Sequence, residues 1–590
     1  MNLRSIEITN IKGIGNRKFN LDIVPNKPNI LVAPNGFGKS SFAIAFDSLK
    51  NNKIELDDKN YHLKDTDRRP ILALTLTNGT ALVADDTQNT ISDLFDVFVI
   101  KNQTEPKSTI QSFGGRTFAK TSLNILPTTL VQTIPAKVDF NYSSSDIKTQ
   151  FGTNGNKILT NISSIFQVSR LILRIENEID FSRFNLKKFK EPIADIINKI
   201  NQRNGTKKNI KEWIVENSLT VFQGLDEFTK LAKLITSFEL DIISDEVDSF
   251  LAAWQIISVK NEMGANYKKA CKYLYYLADK EHYTETISAF NPVKERFDIK
   301  PKKEKNSLVV NWPKAHEISN GQRDILTFIT LLLKSKRNFK KKDCILIIDE
   351  IFDYMDDANL ISFQYYISKF IDEMKRLKRR IFPILLTHLD PLFFNHFCFN
   401  DKKLKVSYLK EINIKSNNQI LKLIYKRSDP KIQNKVDEYY FHYHPNKNSE
   451  DLTTEFKELK LNSHWAKPDD FFKKVYREVR RYLFESTKFD PLAICFAVRV
   501  SIEELVYNRI DGIENKRIFL EERNGTKNKL HFAYSIGVNI PETYFLLGII
   551  YNTSLHLSEG QDVSTPLGLK LENDTIKKMI LNIYKEKVDQ

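Results

Sequence analysis

Apolar and polar positions divide the chain into stretches with different predicted structure. The first hundred residues alternate short apolar runs with turns, which predicts strands. From about residue 116 to residue 297, apolar residues recur three and four positions apart, which predicts helices. Short, wholly apolar runs return between residues 306 and 388 and predict strands of an α/β sheet. Residues 404–427 are predicted to be rich in strands, and the pattern from residue 436 onward is again helical.

Composition and charge narrow the class of protein. The 590 residues include 41% hydrophobic and 28% charged side chains, an ordinary globular composition. The net charge of +15 is compatible with an acidic partner such as nucleic acid, although lysine-rich chains can be basic without one. No apolar run reaches the roughly 18 residues that a membrane-spanning helix needs, and the first residues lack the apolar core of a signal peptide. We therefore predict a cytoplasmic protein with no membrane partner.

The first segment with recognisable chemistry is a glycine-rich turn between an apolar strand at 30–33 and a helix. This order is typical of a phosphate-binding loop, in which backbone N–H groups converge on phosphate oxygens at a helix N-terminus. Lys39 would place a positive charge against the β- and γ-phosphates, and Ser40 would offer a hydroxyl to Mg²⁺. Ala33 stands where the pattern usually begins with glycine, which matters only if that residue needs a positive φ. The residues assigned to the nucleotide are Asn35, Gly36, Gly38, Lys39, Ser40 and Ser41.

A second segment, Cys344 to Glu350, consists of an apolar run followed by two carboxylates. It predicts a buried parallel strand whose C-terminal tip carries acids, the edge at which α/β sheets bind their ligands. Asp349 is predicted to complete the Mg²⁺ shell, and Glu350 to act as the general base that polarises the attacking water. Such a pattern also occurs by chance, so it gains weight only beside Lys39 and Ser40.

A third segment precedes a helix that has Ile325, Ile329 and Leu332 on one face. Its serine cap, its glycine and the N–H groups of the helix start form a second anion cradle, although an ordinary capped helix would look the same. The segment closely resembles the signature motif of ATP-binding-cassette (ABC) ATPases, in the branch that includes RecF, the SMC proteins and the zinc-hook DNA-repair ATPases. The residues that carry this resemblance are Ser319, Asn320, Gly321 and Gln322.

Four further positions match the same family. Asp356 stands in the aspartate place of the D-loop, and His388, after an apolar strand, matches the switch histidine that would contact the γ-phosphate. Gln103, after the strand at 96–100, is the candidate for the Q-loop glutamine that senses Mg²⁺ and the attacking water. Lys12 lies in a turn similar to the NFxS-type turn of this branch, and would touch nucleotide phosphate.

The resemblance implies an α/β fold, a bilobed ABC ATPase head of the P-loop NTPase class. Its lobes are 1–115 and 296–428, interrupted by a helical insertion at 116–295 and followed by a mainly α-helical domain at 429–590. Members of the family close two heads around two molecules of ATP, so the signature motif would act in trans across a homodimer or a higher homo-oligomer. The insertion is too short for a coiled-coil arm. The compact kind of ATPase found in bacterial anti-phage systems such as Septu and PARIS is the better match, which implies a role in antiviral defence.

These expectations define a function and leave alternatives open. The chain is predicted to be a Mg²⁺-dependent ATP hydrolase and an ATP-dependent dimerisation switch. It would engage DNA or RNA, or control an effector protein, such as a nuclease, encoded by a neighbouring gene. One alternative is a self-contained toxin whose C-terminal domain is a nuclease gated by the ATPase, and another is a scaffold that binds ATP without hydrolysing it.

Two other features remain open at this stage. Basic residues cluster at 334–342 and 375–380, just before two predicted strands and therefore at the edge of the sheet opposite the nucleotide. They could bind a nucleic-acid backbone or an acidic partner, or they could be solvated loop charges. In the C-terminal domain, Arg499 and Glu503 lie one helical turn apart and are predicted to form an ion pair.

Overall fold

A computed structural model describes most of the chain. The described residues are 2–101, 104–113, 116–290, 298–351, 355–389, 404–410, 412, 414, 417–485, 487–552 and 564–589. Gln103, the predicted Q-loop residue, lies outside them. Of the helices described, none combines the length and the apolar character that a membrane crossing requires.

The described residues form strands and α-helices in a mixed order. The strands are β1 (Leu3–Ile11), β2 (Ile14–Ile23), β3 (Asn29–Val32), β4 (Ile71–Leu76), β5 (Ala81–Ala84), β6 (Phe95–Ile100), β7 (Thr104–Phe113), β8 (Arg116–Ile125), β9 (Thr128–Val131), β10 (Pro301–Glu304), β11 (Ser307–Val310), β12 (Asp343–Asp349), β13 (Arg380–Thr387) and β14 (Lys405–Tyr408). The helices of the first 380 residues are α1 (Lys39–Asp47), α2 (Ile91–Leu94), α3 (Ser144–Phe151), α4 (Gly155–Ile158), α5 (Ser169–Glu178), α6 (Lys187–Asn201), α7 (Lys207–Asn217), α8 (Leu219–Gln223), α9 (Asp226–Thr236), α10 (Glu246–Met263), α11 (Ala265–Ala289), α12 (Asn320–Asn338) and α13 (Asp357–Arg376). The remaining helices are α14 (Asn418–Lys426), α15 (Gln433–Val436), α16 (Thr453–Glu458), α17 (Pro468–Phe484), α18 (Pro491–Asn508), α19 (Ile513–Arg517), α20 (Thr526–Ser535), α21 (Glu542–Leu546), α22 (Gly548–Tyr551), α23 (Ser564–Leu571) and α24 (Asp574–Asp589).

The chain divides into two compact units, and each is built from separate stretches of sequence. Unit 1 comprises Met1–Ala45, Leu56–Leu82 and Ile384–Gln590, and unit 2 comprises Phe46–Glu55 and Val83–Pro383. The division differs from the four segments expected from the sequence, which stay a prediction.

Unit 1 contains two groups of strands. β1 lies between β2 and β4, antiparallel to both. β3 is buried along its whole length and pairs in parallel with β14 on one side and with the end of β13 on the other. A strand that is covered on both faces favours apolar residues, which explains Ile30, Leu31 and Val32. The buried amide of Asn29 is hydrogen-bonded to the backbone of Val24.

The C-terminal part of unit 1 is a helical domain arranged around α18. This helix is buried on nearly every side, so its sequence shows no polar face. Glu503 in its interior is 0% exposed. The predicted ion pair between Arg499 and Glu503 is wrong, because Glu503 pairs with Lys529 at 3.2 Å and accepts from His442 Nδ1 at 2.7 Å, while Arg499 donates to the carbonyl of Tyr551.

Unit 2 contains the parallel pair β6 and β12, in which Val97 lies opposite Ile345. A small antiparallel sheet has the order β10, β11, β9. Helices α3 to α11 form the insertion, and they bury an apolar core of their own. α12 and α13 follow, and β11 and β12 confirm the strands that the sequence predicted between residues 306 and 388.

Two predictions of secondary structure are wrong over part of their length. α3 to α11 confirm the mostly helical stretch from residue 144 onward. The stretch expected to be helical from residue 116 begins with β8 and β9, and β8 is held in a hairpin with β7. The stretch at 404–427 contains the short strand β14 and then helix α14. α14 has a buried face formed by Ile420, Leu423 and Ile424, a three- and four-residue spacing that favours a helix over a strand.

Candidate functional site

The glycine-rich loop connects β3 to α1, so the predicted order of strand, loop and helix is confirmed. Gly36 and Gly38 have φ values of +79° and +99°, a region that side chains with a Cβ rarely adopt. Ala33, by contrast, lies outside that region and is fully buried, and its N–H donates to the carbonyl of Thr387 at 3.0 Å. Alanine at this position therefore introduces no backbone strain.

Lys39, at the first position of α1, is turned back onto the loop that precedes it. Its ammonium donates to the carbonyls of Ala33 and Pro34 at 3.0 and 3.2 Å, and to Oδ1 of Asn35 at 3.2 Å. The side chain is only 3% exposed. The Lys39 ammonium is thus held against the loop by three oxygen acceptors.

The turn that contains Lys12 is fixed to the start of α1 and to the segment 58–64. Lys12 has a φ of +49°, and its N–H donates to the carbonyl of Asn60 at 2.7 Å. Gly13, the next residue, donates its N–H to Oγ of Ser41 at 3.1 Å. Lys12 and Ser41, both predicted to bind the nucleotide, therefore lie close together. The Ser41 hydroxyl holds the turn of Lys12 and Gly13 against the start of α1.

Phe37 lies between the two glycines of the loop, and two cations lie against its ring. The guanidinium carbon of Arg17, on β2, is 4.3 Å from the ring centroid, and Nζ of Lys410, just beyond β14, is 5.9 Å from it. Lys410 also pairs with Glu572 at 2.5 Å. Sequence reasoning did not identify these partners, although a bulky aromatic residue at this loop position is the signal that could have prompted a search for them.

His388 follows β13 and is exposed. Thr387, the residue before it, lies opposite Val32 in the sheet and accepts from the N–H of Ala33, the first residue of the loop. His388 therefore stands one residue from a contact with the phosphate loop. Within unit 1, the predicted residues Lys12, Asn35, Gly36, Gly38, Lys39, Ser40, Ser41 and His388 belong to connected segments.

In unit 2, the two predicted acids stand at the C-terminal tip of β12. Asp349 is the last residue of the strand, Glu350 follows it, and both are half-buried. Glu350 has a φ of +50°, which is unusual for a residue with a side chain. Backbone strain of this kind clusters at functional sites, where the surrounding structure maintains it.

The signature segment forms the capped start of α12. Ser319 is exposed, and its Oγ accepts from the N–H of Gln322 at 3.4 Å. Asn320 is also exposed, whereas Gly321 and Gln322 are half-buried. Asp356 has a similar place at α13, where its carboxylate accepts from the N–H and the side-chain amide of Asn359 at 2.8 and 3.1 Å. Each segment thus presents a helix N-terminus.

The donor set that the sequence assigned to Mg²⁺ consists of a hydroxyl, a carboxylate and an amide oxygen, from Ser40, Asp349 and Gln103. Oxygen donors of this kind are the ligands that Mg²⁺ prefers, and Mg²⁺ is usually held by one or two of them together with substrate phosphates. The described residues Ser40 and Asp349 fit this chemistry. Among the residues that the structure describes, no group of three or more His, Cys, Asp and Glu side chains is placed to hold a metal ion.

Comparison with protein-family models and with curated proteins gives no match. Among solved structures, an SMC head bound to the C-terminal winged-helix domain of ScpA matches with a TM-score of 0.27 and 11% identity, covering 67% of this chain and 92% of that chain. An SMC head from Pyrococcus furiosus matches with a TM-score of 0.25, 12% identity and the same coverage. The recombination mediator RecF with ATP matches with a TM-score of 0.20 and 12% identity, covering 66% and 92%. At these TM-scores the likeness is too coarse to assign a function.

Proposed function

We propose that the chain binds and hydrolyses ATP with Mg²⁺, and that ATP brings two copies of the chain together. The observation that carries this proposal is the loop itself. The Lys39 ammonium is buried and held by three loop oxygens at 3.0–3.2 Å, next to two glycines with positive φ. Phosphate oxygens of an entering nucleotide would replace those oxygens as acceptors, since charge-assisted hydrogen bonds to an anion are the stronger ones.

The proposed reaction gives a separate part to each of the predicted site residues. Lys39 neutralises phosphate charge, and the first N–H groups of α1, which lack partners within the helix, point toward an anion at its N-terminus. Ser40 and Asp349 would hold Mg²⁺, which would supply positive charge to the phosphate oxygens. Glu350 accepts a proton from water as the water oxygen bonds to the γ-phosphorus and the bond to the ADP oxygen breaks. His388 contacts the γ-phosphate that is released.

The proposed dimer uses the capped helix start at Ser319 as its contact with the nucleotide of the other copy. In the proposed arrangement, the exposed cap of α12 in one copy faces the γ-phosphate held by the other, where a serine hydroxyl and helix N–H groups suit an anion. Hydrolysis would then separate the copies. This cycle makes the chain a switch that engages nucleic acid or an effector protein. The part in anti-phage defence rests on the family resemblance of the motifs alone.

Nucleotide binding tests the proposal first. Calorimetric titration of the full chain with ATP and Mg²⁺ should show binding, and Lys39→Ala should weaken it by at least about a hundredfold, because it removes a charged partner of the phosphates. Lys50→Ala is the matched control, since Lys50 is an exposed lysine beyond the end of α1. Equal affinity in Lys39→Ala and in the wild type would overturn the proposal.

Light scattering tests the dimer separately. With ATP, Glu350→Gln should accumulate as a dimer, because it binds the nucleotide without hydrolysing it. Adding Ser319→Arg to that variant should keep ATP binding and leave the chain monomeric, since a large cation would fill the anion cradle. A monomer in Glu350→Gln with ATP would contradict the switch, and cleavage of DNA or RNA by the wild type alone would favour the toxin alternative.

A further inference from the structure

Two short segments of unit 2 concentrate an excess of positive charge. Residues 334–343 and 369–380 contain twelve lysine and arginine residues and three carboxylates, a net charge of +9. The whole chain of 590 residues has a net charge of +15. These 22 residues thus account for more than half of the net charge, and the phosphate loop is not among them.

The two segments are joined by hydrogen bonds at the starts of β12 and β13. The N–H of Arg380 donates to the carbonyl of Lys342 at 2.7 Å. The guanidinium of Arg379 donates to the carbonyl of Phe339 at 2.8 Å. The structure therefore turns two basic clusters, which are about 40 residues apart in the sequence, into one surface with a fixed backbone.

Two carboxylates beside this surface, Asp343 and Asp96, accept hydrogen bonds from a guanidinium and from backbone N–H groups of the two segments. Asp343 is 3% exposed and forms two contacts with the Arg380 guanidinium, at 2.5 and 2.7 Å. Asp96 accepts from the N–H groups of Lys340 and Lys341 at 2.5 and 2.7 Å. These acids order the two loops and leave the outward-facing positions to cations.

Part of the charge has an ordinary structural explanation. Cations in the last turn of a helix interact favourably with its C-terminal carbonyls, and α12 and α13 both end at this surface. Five of the cations also have ion pairs: Lys336 with Glu373, Arg337 with Asp279, Lys375 with Asp372, Arg380 with Asp343 and Lys341 with Asp96. Lys340, Lys342 and Lys378 lie beyond the helix ends, so neither explanation accounts for them.

We call the exposed residues Lys340, Lys342, Arg376 and Lys378 the basic edge. In the part of the chain that the structure describes, none of them forms an ion pair within 4.0 Å. Lys378 acts at longer range on Glu178 and helps to lower the pKa of that carboxyl, whose main partner is Arg174, at 2.7 Å. These four cations lie on two segments that are hydrogen-bonded to each other, so their charges repel one another and favour an external polyanion.

The chemistry of the basic edge favours nucleic acid over an acidic protein. Protein interfaces have apolar or aromatic cores and contain few lysines. Here the one large apolar side chain exposed within the two segments is Leu377, at 52%. Contacts to a phosphodiester backbone come mainly from lysine and arginine, and they need no apolar pocket.

We infer that the basic edge binds the phosphodiester backbone of a nucleic acid, through phosphate contacts that do not read the base sequence. The inference deepens the proposed function by naming its partner and to that extent rests on it. Its test needs no nucleotide, so failure of this inference and failure of ATP binding give different results.

Fluorescence anisotropy with a labelled 30-base-pair DNA duplex, measured at several salt concentrations without ATP, tests the inference. Replacing the four residues of the basic edge with glutamine should weaken binding at least about tenfold near 0.1 M salt. It should also reduce the slope of log K against log salt by roughly one for each side chain that contacts a phosphate. The control replaces Lys157, Lys187, Lys188 and Lys190, exposed lysines of the helical insertion, and changes the net charge equally.

Single-stranded RNA and polyglutamate complete the experiment. If the basic-edge variant loses affinity for the RNA as well as for the duplex, the basic edge is a site for either nucleic acid. The inference is overturned if the wild type binds no nucleic acid, or if the control variant loses as much affinity as the basic-edge variant. It is also overturned if polyglutamate binds the wild type as tightly as the duplex does and the basic-edge variant loses that binding. Circular dichroism confirms that both variants keep the wild-type fold.

Discussion

The guanidinium of Arg17 lies 4.3 Å from the centre of the Phe37 ring, so a residue of β2 rests on the phosphate loop. Cation–π contacts of this kind are worth about 0.5–1 kcal/mol at exposed sites. By fixing Phe37, the contact holds the backbone between the two loop glycines in one arrangement before a nucleotide arrives.

We therefore expect Arg17→Ala and Phe37→Ala each to weaken ATP binding by about two- to fivefold, because the loop must then be ordered by the nucleotide. The double variant should bind about as well as Phe37→Ala alone, since that substitution already removes the contact with Arg17. Titration with a fluorescent ATP analogue measures this double-mutant cycle. Strictly additive effects of the two substitutions would contradict a direct contact.

The two loop glycines form a matched pair for a second prediction. Alanine at either position must adopt a positive φ, at a cost of roughly 1–2 kcal/mol. A Cβ at Gly38 would also lie 3.3 Å from two carbons of Ile14, whereas a Cβ at Gly36 would meet nothing within 4 Å. Gly38→Ala should therefore lower the unfolding midpoint more than Gly36→Ala does, as measured by urea denaturation. The reverse order would show that the loop is built differently.

Glu503 should be essential to the stability of the C-terminal helical domain. It is fully buried and accepts from His442, from the N–H of Tyr443, from Thr526 and from Lys529 at 2.6–3.2 Å. Glu503→Gln leaves the buried ammonium of Lys529 without a counter-charge, so we expect a loss of about 3–5 kcal/mol in the free energy of unfolding. Glu514→Gln, at an exposed glutamate, is the control and should change little.

The same carboxylate predicts an acid response. Burial alone would raise the pKa of Glu503, but the charges of His442 and Lys529 and the hydrogen bonds to it hold that pKa well below its usual range. A lowered pKa adds stability above the unfolded value, near 4.5, and that stability is lost as the pH falls. The wild type should therefore lose more stability between pH 5 and pH 3 than Glu503→Gln does. Parallel losses would contradict the pairing.

Asp490, the N-cap of α18, should respond to pH in the opposite direction. Burial, together with the nearby charge of Glu478, raises the pKa of its carboxyl from 3.8 to about 7. Between these values the folded chain holds a proton that the unfolded chain has released, so the free energy of unfolding falls as the pH rises, by up to about 4 kcal/mol.

Asp490→Asn keeps the cap, in which Oδ1 accepts from the N–H of Leu492 at 3.0 Å, and removes the titrating group. The stability of this variant relative to the wild type should increase from pH 5 to pH 8. Urea denaturation at both pH values measures the difference, and a constant offset would show that Asp490 stays ionised in the fold.

Local patterns explain which features could be predicted from the sequence. β3 and β12 are built around short apolar runs, at 30–32 and 344–348, and glycines with a following Lys39 specify a phosphate loop within a few residues. α14 was missed because Ile420, Leu423 and Ile424 share a helical face within a stretch whose apolar residues also suit a strand.

Other features depend on contacts between distant parts of the chain. Arg17 lies 20 residues before Phe37, and Lys410 follows the whole helical insertion in the sequence. Glu503 pairs with Lys529 instead of the residue one turn away, because Arg499 finds the carbonyl of Tyr551. No periodicity in the sequence encodes these choices, since the folded chain determines which partners meet.

Phosphate release from ATP by the full chain, with Mg²⁺, is the most direct test of the central claim. The wild type should release phosphate. Lys39→Ala should bind ATP at least about a hundredfold more weakly and release no phosphate, and Glu350→Gln should keep its affinity for ATP while releasing no phosphate. Unchanged turnover in Glu350→Gln, or a wild type that does not bind ATP, would contradict the account.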